Sequence, residues 1–221
     1  MARDLASYID HTILKPDATE SQVLQICDEA RKYNFAAVCI PPCYVHAAAE
    51  RLKGTNVQVA TVVGFPLGYN HPKVKFLETH QAIADGATEI DVVINISDLK
   101  SGKYSDVENE LSELAKFCHL KEAELKVIIE TALLTDNEIV KACELCANAG
   151  VDYVKTSTGF AAAGATVPHV ELMRRVLPSH IKIKAAGGIR TYEDAQALIK
   201  AGADRLGCSA SIQIVSHEQN R

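Results

Sequence analysis

Lys155 and Lys184 have the clearest claim to chemistry in this chain. Each lies in a short β-like run that closes on glycine: Tyr153-Val154-Lys155-Thr156-Ser157-Thr158-Gly159 and Ile181-Lys182-Ile183-Lys184-Ala185-Ala186-Gly187-Gly188. Lysine is seldom buried, so two of them in strand interiors need a reason. Side chains alternate across a strand, which sets Tyr153, Lys155 and Ser157 opposite Val154, Thr156 and Thr158. Lys182 and Lys184 likewise oppose Ile181 and Ile183. A third run, Glu89 to Asn95, divides Ile90, Val92 and Ile94 from Asp91, Val93 and Asn95. Strands of this kind meet helices with one face and line a reactive interior with the other. They imply an enzyme that uses a lysine amine.

The two lysines fall on adjacent candidate strands, which would hold their ammonium groups about 6 Å apart. At an effective dielectric of about 20 the repulsion is roughly 3 kcal/mol, or about two pKa units. Desolvation pushes the same way. One lysine is then expected to be largely neutral around pH 7, as an amine that attacks a carbonyl must be. Asp91 would balance the remaining charge and relay protons. The alternative is an inert Lys–Asp pair, which seldom offsets its own desolvation cost. Residue types do not decide which lysine is the nucleophile.

The elements that must position these groups are legible. Asp85-Gly86-Ala87-Thr88-Glu89, Asn148-Ala149-Gly150-Val151-Asp152 and Ala201-Gly202-Ala203-Asp204 each close an amphipathic helix and open a strand. Asn34 takes the glycine place in a fourth such corner. Glycine or asparagine suits the left-handed residue past a helix end. Thr19-x-x-Gln22 and Thr135-x-x-Glu138 are capping boxes, Thr191-x-x-Asp194 is close to one, and Pro168 fits a first helical turn. Between the helices fall eight strands, near 9–14, 37–41, 57–65, 89–95, 126–131, 152–158, 181–187 and 204–209. Helix-length segments separate most of them, as parallel βαβ units require. The fold expected is α/β, a single-domain (β/α)8 barrel over residues 1–215, with a polar, frayed tail at 216–221. An open doubly wound sheet is the competitor, but no G-x-G-x-x-G or P-loop follows an early strand.

In such a barrel, phosphate commonly binds the loops after strands seven and eight. Here they read Ala186-Gly187-Gly188-Ile189-Arg190 and Gly207-Cys208-Ser209-Ala210-Ser211. Glycines let backbone N–H groups approach an anion, and a following helix start adds a favourable dipole. Arg190, Ser209 and Ser211 are further candidate donors.

Composition removes other classes. The chain has 221 residues, 48% of them hydrophobic, which suits one sizeable core. A net charge of −5 without a charged tail, and 5% aromatics without tryptophan, disfavour a nucleic-acid partner. The start lacks an apolar signal region and no apolar stretch is long enough to span a bilayer, so a cytoplasmic protein is expected. Seven scattered cysteines argue against a disulfide framework, and Cys143-x-x-Cys146 reads as a pair of core thiols. The eight histidines show no metal-ligand spacing. His11 alone falls near the site, as a hydrogen-bonded structural group.

The chain resembles the deoxyribose-phosphate aldolase family of class I, Schiff-base aldolases. The matching stretches are Ile9-Asp10-His11-Thr12-Ile13-Leu14-Lys15-Pro16, Val62-Val63-Gly64-Phe65-Pro66-Leu67-Gly68, Glu89-Ile90-Asp91-Val92-Val93, Val154 to Gly159 and Lys184 to Arg190. They cover essentially the whole sequence in order. The resemblance implies reversible cleavage of 2-deoxy-D-ribose 5-phosphate into D-glyceraldehyde 3-phosphate and acetaldehyde, with no metal and no other cofactor. It puts the Schiff-base lysine on Lys155, the second active-site lysine on Lys184 and the strand aspartate on Asp91. The phosphate-holding backbone falls on Gly159, Gly187, Gly188, Gly207 and Ser209, with Arg190 as a further binding group. The partners expected are the phosphosugar, acetaldehyde and a second copy of the chain in a dimer. Two departures stand out. Some relatives carry a C-terminal tyrosine that this tail lacks, and some have lysine where this chain has Phe160. The phosphate would then rest more on backbone amides and Arg190.

Overall fold

The computed structural model describes residues 4–219. Eight parallel strands close into a barrel in simple sequence order. They are β1 (Ile9–Thr12), β2 (Ala37–Ile40), β3 (Gln58–Val63), β4 (Glu89–Val93), β5 (Glu124–Ile128), β6 (Tyr153–Lys155), β7 (Lys182–Ala186) and β8 (Arg205–Cys208). Strand β8 pairs back onto β1 through Asp10 opposite Gly207. The outer ring holds α1 (Glu20–Tyr33), α2 (Val45–Leu52), α3 (Pro72–Ala84), α4 (Ile96–Lys100), α5 (Tyr104–Leu120), α6 (Asp136–Ala149), α7 (Val167–Val176), α8 (Tyr192–Lys200) and α9 (Ser211–Gln219). This is the (β/α)8 barrel the sequence predicts. No helix among the described residues is long and apolar enough to cross a membrane.

The helix boundaries follow the caps. Thr19, Thr135 and Thr191 each accept the amide three residues on, and Gln22, Glu138 and Asp194 complete the reciprocal box. Thr166 caps α7 with Pro168 in its first turn. Asn34 at φ +53° and Gly150 at φ +75° take the left-handed turn that ends a helix and redirects the chain into the next strand. Several strands end two or three residues earlier than expected, β5 at Ile128 among them, and two boundaries bear on the site or the tail. Strand β6 stops at Lys155, so Ser157 and Thr158 belong to the loop above it. Helix α9 runs to Gln219, so the polar segment from 216 begins as helix, and residues 220 and 221 lie outside the described residues.

Alternation sorts each strand into two environments. Val38, Ile40, Ile90, Val92, Leu125, Val127, Val154, Ile183 and Leu206 join one continuous core between barrel and helices. Inside the barrel, Ala37, Cys39, Ala60 and Val62 form a small apolar patch on β2 and β3. Charged side chains from β1 and β4–β8 fill the rest. The cysteines conform to a core role: all seven are free, six are buried, and burial pushes the Cys143 thiol up to about 12.

Candidate active site

A barrel interior excludes water, so charges can persist there only in pairs. Asp10, Glu89 and Asp91 meet Lys126, Lys155, Lys184 and Arg205, all of them buried. Asp91 is the hub. Its Oδ2 accepts hydrogen bonds from Lys155 Nζ and Lys184 Nζ, each at 2.7 Å, and its Oδ1 accepts from Lys126 Nζ at 2.9 Å. Lys184 also pairs with Asp10 Oδ2 at 2.5 Å. Below this layer, Lys126 reaches Glu89 Oε2 at 2.5 Å, and Arg205 donates to Asp10 Oδ1 at 2.6 Å and to Glu89 Oε1 at 3.2 Å. Tyr153, at the start of β6, joins the lower layer, its hydroxyl accepting from Arg205 Nη2 at 3.3 Å.

Charge accounting sets the protonation states. Burial alone would raise the Asp91 carboxyl, but Lys126, Lys155 and Lys184 hold it well below its usual range. Asp10 is likewise lowered, by Arg205 and then Lys184, against the push of burial. Burial acts to neutralise Lys184, yet Asp10 and Asp91 raise it well above the ordinary lysine value. Lys126 is raised in the same way by Asp91 and Glu89. The expectation that repulsion and burial would leave one lysine neutral therefore does not hold for Lys184. Two carboxylates in direct contact outweigh the desolvation, and Lys184 stays charged.

Register explains how β6 and β7 bring the two lysines together. Lys155 is the partner of Lys184 across the ladder, and both side chains point inward. Lys155 ends its strand, so it is the one that reaches the mouth. Above it opens a cleft of about 640 Å³, lined by Lys155 and by Gly159, Gly187, Gly188, Arg190, Gly207 and Ser209. All six residues read from sequence as phosphate holders thus face one space with Lys155, while Asp91 and Lys184 lie fully buried beneath it. Gly187, at φ +83°, packs so closely that an added Cβ would lie 3.0 Å from Gly164 Cα and 3.4 Å from Gly159 Cα. Ala165 N–H donates to Ala186 O and Gly187 O, which folds the loop after β6 onto the end of β7.

One donor is placed differently from the sequence reading. Ser211 does not line the cleft; it is buried behind β8, its Oγ 2.9 Å from both His11 Nδ1 and Cys208 O. The backbone N–H of Arg190 donates to Asp194 Oδ2 as part of the α8 cap, which leaves the guanidinium as that residue's free donor group. His11 is the hydrogen-bonded group expected, with Nε2 2.7 Å from Glu29 Oε2. Burial keeps it below its usual value against the opposing pull of Glu29. Serine, histidine and glutamate in line have the parts of a nucleophile relay, but Ser211 is sealed from solvent, so the trio ties β1, α1 and α9 together.

Sequence reading overlooked Asp10, Glu89, Lys126 and Arg205. Glu89 shares the parity of Asp91, and Arg205 shares that of Gly207, so alternation carried the signal. Lys15 and Phe160 also line the cleft, and Phe160 meets Phe65 edge-on at 5.2 Å.

Comparison with known proteins agrees with this geometry. The family model for the DeoC/LacD family aldolases matches residues 5–217. A deoxyribose-phosphate aldolase of Caldanaerobacter subterraneus subsp. tengcongensis is 53% identical over 96% of this chain and 92% of its own length. One from Thermococcus gammatolerans is 52% identical over 98% of this chain and 97% of its own. Among solved structures, the tetrameric deoxyribose phosphate aldolase of Aeropyrum pernix superposes with a TM-score of 0.91 at 34% identity, covering 97% of this chain and 91% of that one.

Proposed function

The chain belongs to the DeoC/LacD family of aldolases, which are carbon–carbon lyases, and on that premise we propose that it reversibly cleaves 2-deoxy-D-ribose 5-phosphate through a Schiff base on Lys155. One observation carries the choice of lysine. Of the three lysines around Asp91, Lys155 alone lines the open cleft, and Lys126 and Lys184 are held as ammonium groups by paired carboxylates.

The open-chain sugar enters with its phosphate toward Gly187, Gly188, Gly207 and Ser209, where α8 and α9 begin, and Arg190 adds a cation. The unprotonated Lys155 amine attacks the C1 aldehyde, and loss of water leaves a positive iminium. Removal of the C3 hydroxyl proton breaks the C2–C3 bond. Its electron pair moves into the iminium, which releases D-glyceraldehyde 3-phosphate and leaves an enamine. A proton returned to the enamine carbon gives the acetaldehyde iminium, and water hydrolyses it. Asp91 and Lys184, joined through one oxygen, move these protons through a water. Lys184 also keeps a fixed positive charge beneath the amine. The reading includes independence from metal, a cytoplasmic location and self-association as a dimer.

Acetaldehyde with borohydride should fix one two-carbon adduct, and peptide mapping should place it on Lys155. Lys155→Ala should lose both adduct and turnover. An adduct on Lys184 that survives in Lys155→Ala would reverse the assignment of the lysines. No adduct in the unaltered protein would defeat the Schiff-base reading.

A further inference from the structure

Glu130 sits two residues past the end of β5, buried at 2% exposure, with a backbone in the left-handed region at φ +55°. Neither property is cheap. A non-glycine residue there is strained, and its Oε1 is a buried carboxylate oxygen with no hydrogen-bond partner among the described residues. What the arrangement achieves is visible at the other oxygen. Oε2 accepts both the backbone N–H of Thr158, at 3.2 Å, and the Thr158 hydroxyl. The Thr158 Oγ1 in turn accepts the N–H of Phe160 at 3.1 Å.

These bonds fix the chain on both sides of Gly159. That glycine has φ +88° with open space around its missing Cβ, so local crowding does not hold it in place. Its backbone is nonetheless, with that of Gly164, what Gly187 packs against from the opposite loop. Thr158, Gly159 and Phe160 all line the cleft, whereas Glu130 does not.

We infer that Glu130 is a positioning residue: through Thr158 it sets the loop that carries Gly159 against Gly187 and so shapes one wall of the phosphate cradle. This inference rests on the phosphate site proposed above. Charge-assisted hydrogen bonds are the stronger kind, and a buried carboxylate is well suited to hold a loop that must otherwise close on an anion unaided.

The test is aldol synthesis from acetaldehyde with two acceptors, D-glyceraldehyde 3-phosphate and D-glyceraldehyde. Glu130→Ala and Thr158→Val should each raise KM for the phosphorylated acceptor about tenfold while leaving that for glyceraldehyde within about twofold. Glu130→Gln and Thr158→Ser, which keep an acceptor oxygen and a hydroxyl, should recover most of the loss. The double variant should be no worse than the worse single one, because both break the same link. Equal losses toward both acceptors, or additive losses, would overturn the inference. Amide hydrogen exchange gives a second reading that does not depend on substrate. Exchange at Thr158 and Phe160 should quicken in Glu130→Ala, and unchanged protection there would also overturn it. If Glu130→Ala does not fold, Thr158→Val carries both measurements. An unaltered protein that shows no preference for the phosphorylated acceptor would remove the phosphate site itself, and the exchange measurement would still decide whether Glu130 holds the loop.

Discussion

Gly207 leaves the room that the Lys184 side chain occupies: a Cβ at Gly207 would lie 3.1 Å from Lys184 Cε. The same Cβ would also lie 3.0 Å from Ala186 Cβ, so it has nowhere to yield. Gly207 is read from the sequence as a residue that lets backbone approach an anion. The structure adds a reason from inside the barrel. Glycine on β8 lets a lysine on β7 reach Asp10 and Asp91.

Gly207→Ala should therefore displace the Lys184 ammonium by a few tenths of an ångström from its two carboxylates. Misplacement of a catalytic group is costly, and kcat should fall roughly tenfold. The loss should be similar with phosphorylated and unphosphorylated acceptors. A loss confined to the phosphorylated acceptor would show that Gly207 acts through the anion and not through Lys184.

Asp91→Asn replaces the shared anion with an amide, which must turn a donor or a single neutral oxygen toward the Nζ groups of three lysines. Removing one partner of a buried ion pair costs about 3–5 kcal/mol, and urea unfolding should register a loss of that order. The variant should still form the acetaldehyde adduct. Exchange of the acetaldehyde methyl protons with solvent, followed by NMR, should slow strongly because the relay has lost its base. Unimpaired exchange would take Asp91 out of the proton path.

Alternation made the barrel legible, because each β-branched face announced a strand and each glycine or asparagine corner announced its helix. It also placed Lys155, Lys184 and Asp91 in one interior. The pairing was harder to see. Lys126 and Glu89 carry the same parity signal as the chosen residues, but nothing in a linear sequence says that Lys126 takes Asp91 Oδ1 and leaves Oδ2 for the other two lysines. Charge states depend on those distances, so the fate of Lys184 could not be read from neighbouring positive charge alone. Glu130 was silent for a different reason. Its role lies in a left-handed backbone that no local glycine marked.

Gly188 has φ +78° and open space where a Cβ would go. A side chain there pays in conformation, about 1–2 kcal/mol, and aspartate tolerates that region better than most residues. Gly188→Asp should fold, yet its carboxylate would stand in the cleft opposite an incoming phosphate. KM for deoxyribose 5-phosphate should rise at least about tenfold, while KM for unphosphorylated deoxyribose should change little. Parallel losses on both sugars would argue against phosphate at this loop.

Asp10, Glu89 and Asp91 are the acidic residues clustered inside the barrel, and lysine or arginine already occupies each of them. Among the described residues no group of three histidine, cysteine or acidic side chains is arranged to hold a metal ion. Activity should survive a chelator and a thiol reductant together, assayed by coupled detection of glyceraldehyde 3-phosphate. A loss restored by added metal would contradict the Schiff-base route.

His11 makes stability depend on pH in a direction the structure sets. Burial lowers its proton affinity in the folded chain, and Glu29 offsets this only in part. Below the ordinary histidine value of 6.5 the unfolded chain therefore binds a proton that the folded chain resists. Stability must then fall as pH drops below that value, by at most about 1.4 kcal/mol per pH unit from this group. Urea unfolding at about pH 7.5 and about pH 5.5 measures the slope. In His11→Gln the protein should be less stable at the higher pH, since the link from β1 to Glu29 and Ser211 is weakened. Its loss on going to the lower pH should nonetheless be smaller than that of the unaltered chain. An identical pH slope in both proteins would mean that His11 keeps its ordinary affinity and that another group sets the acid limit.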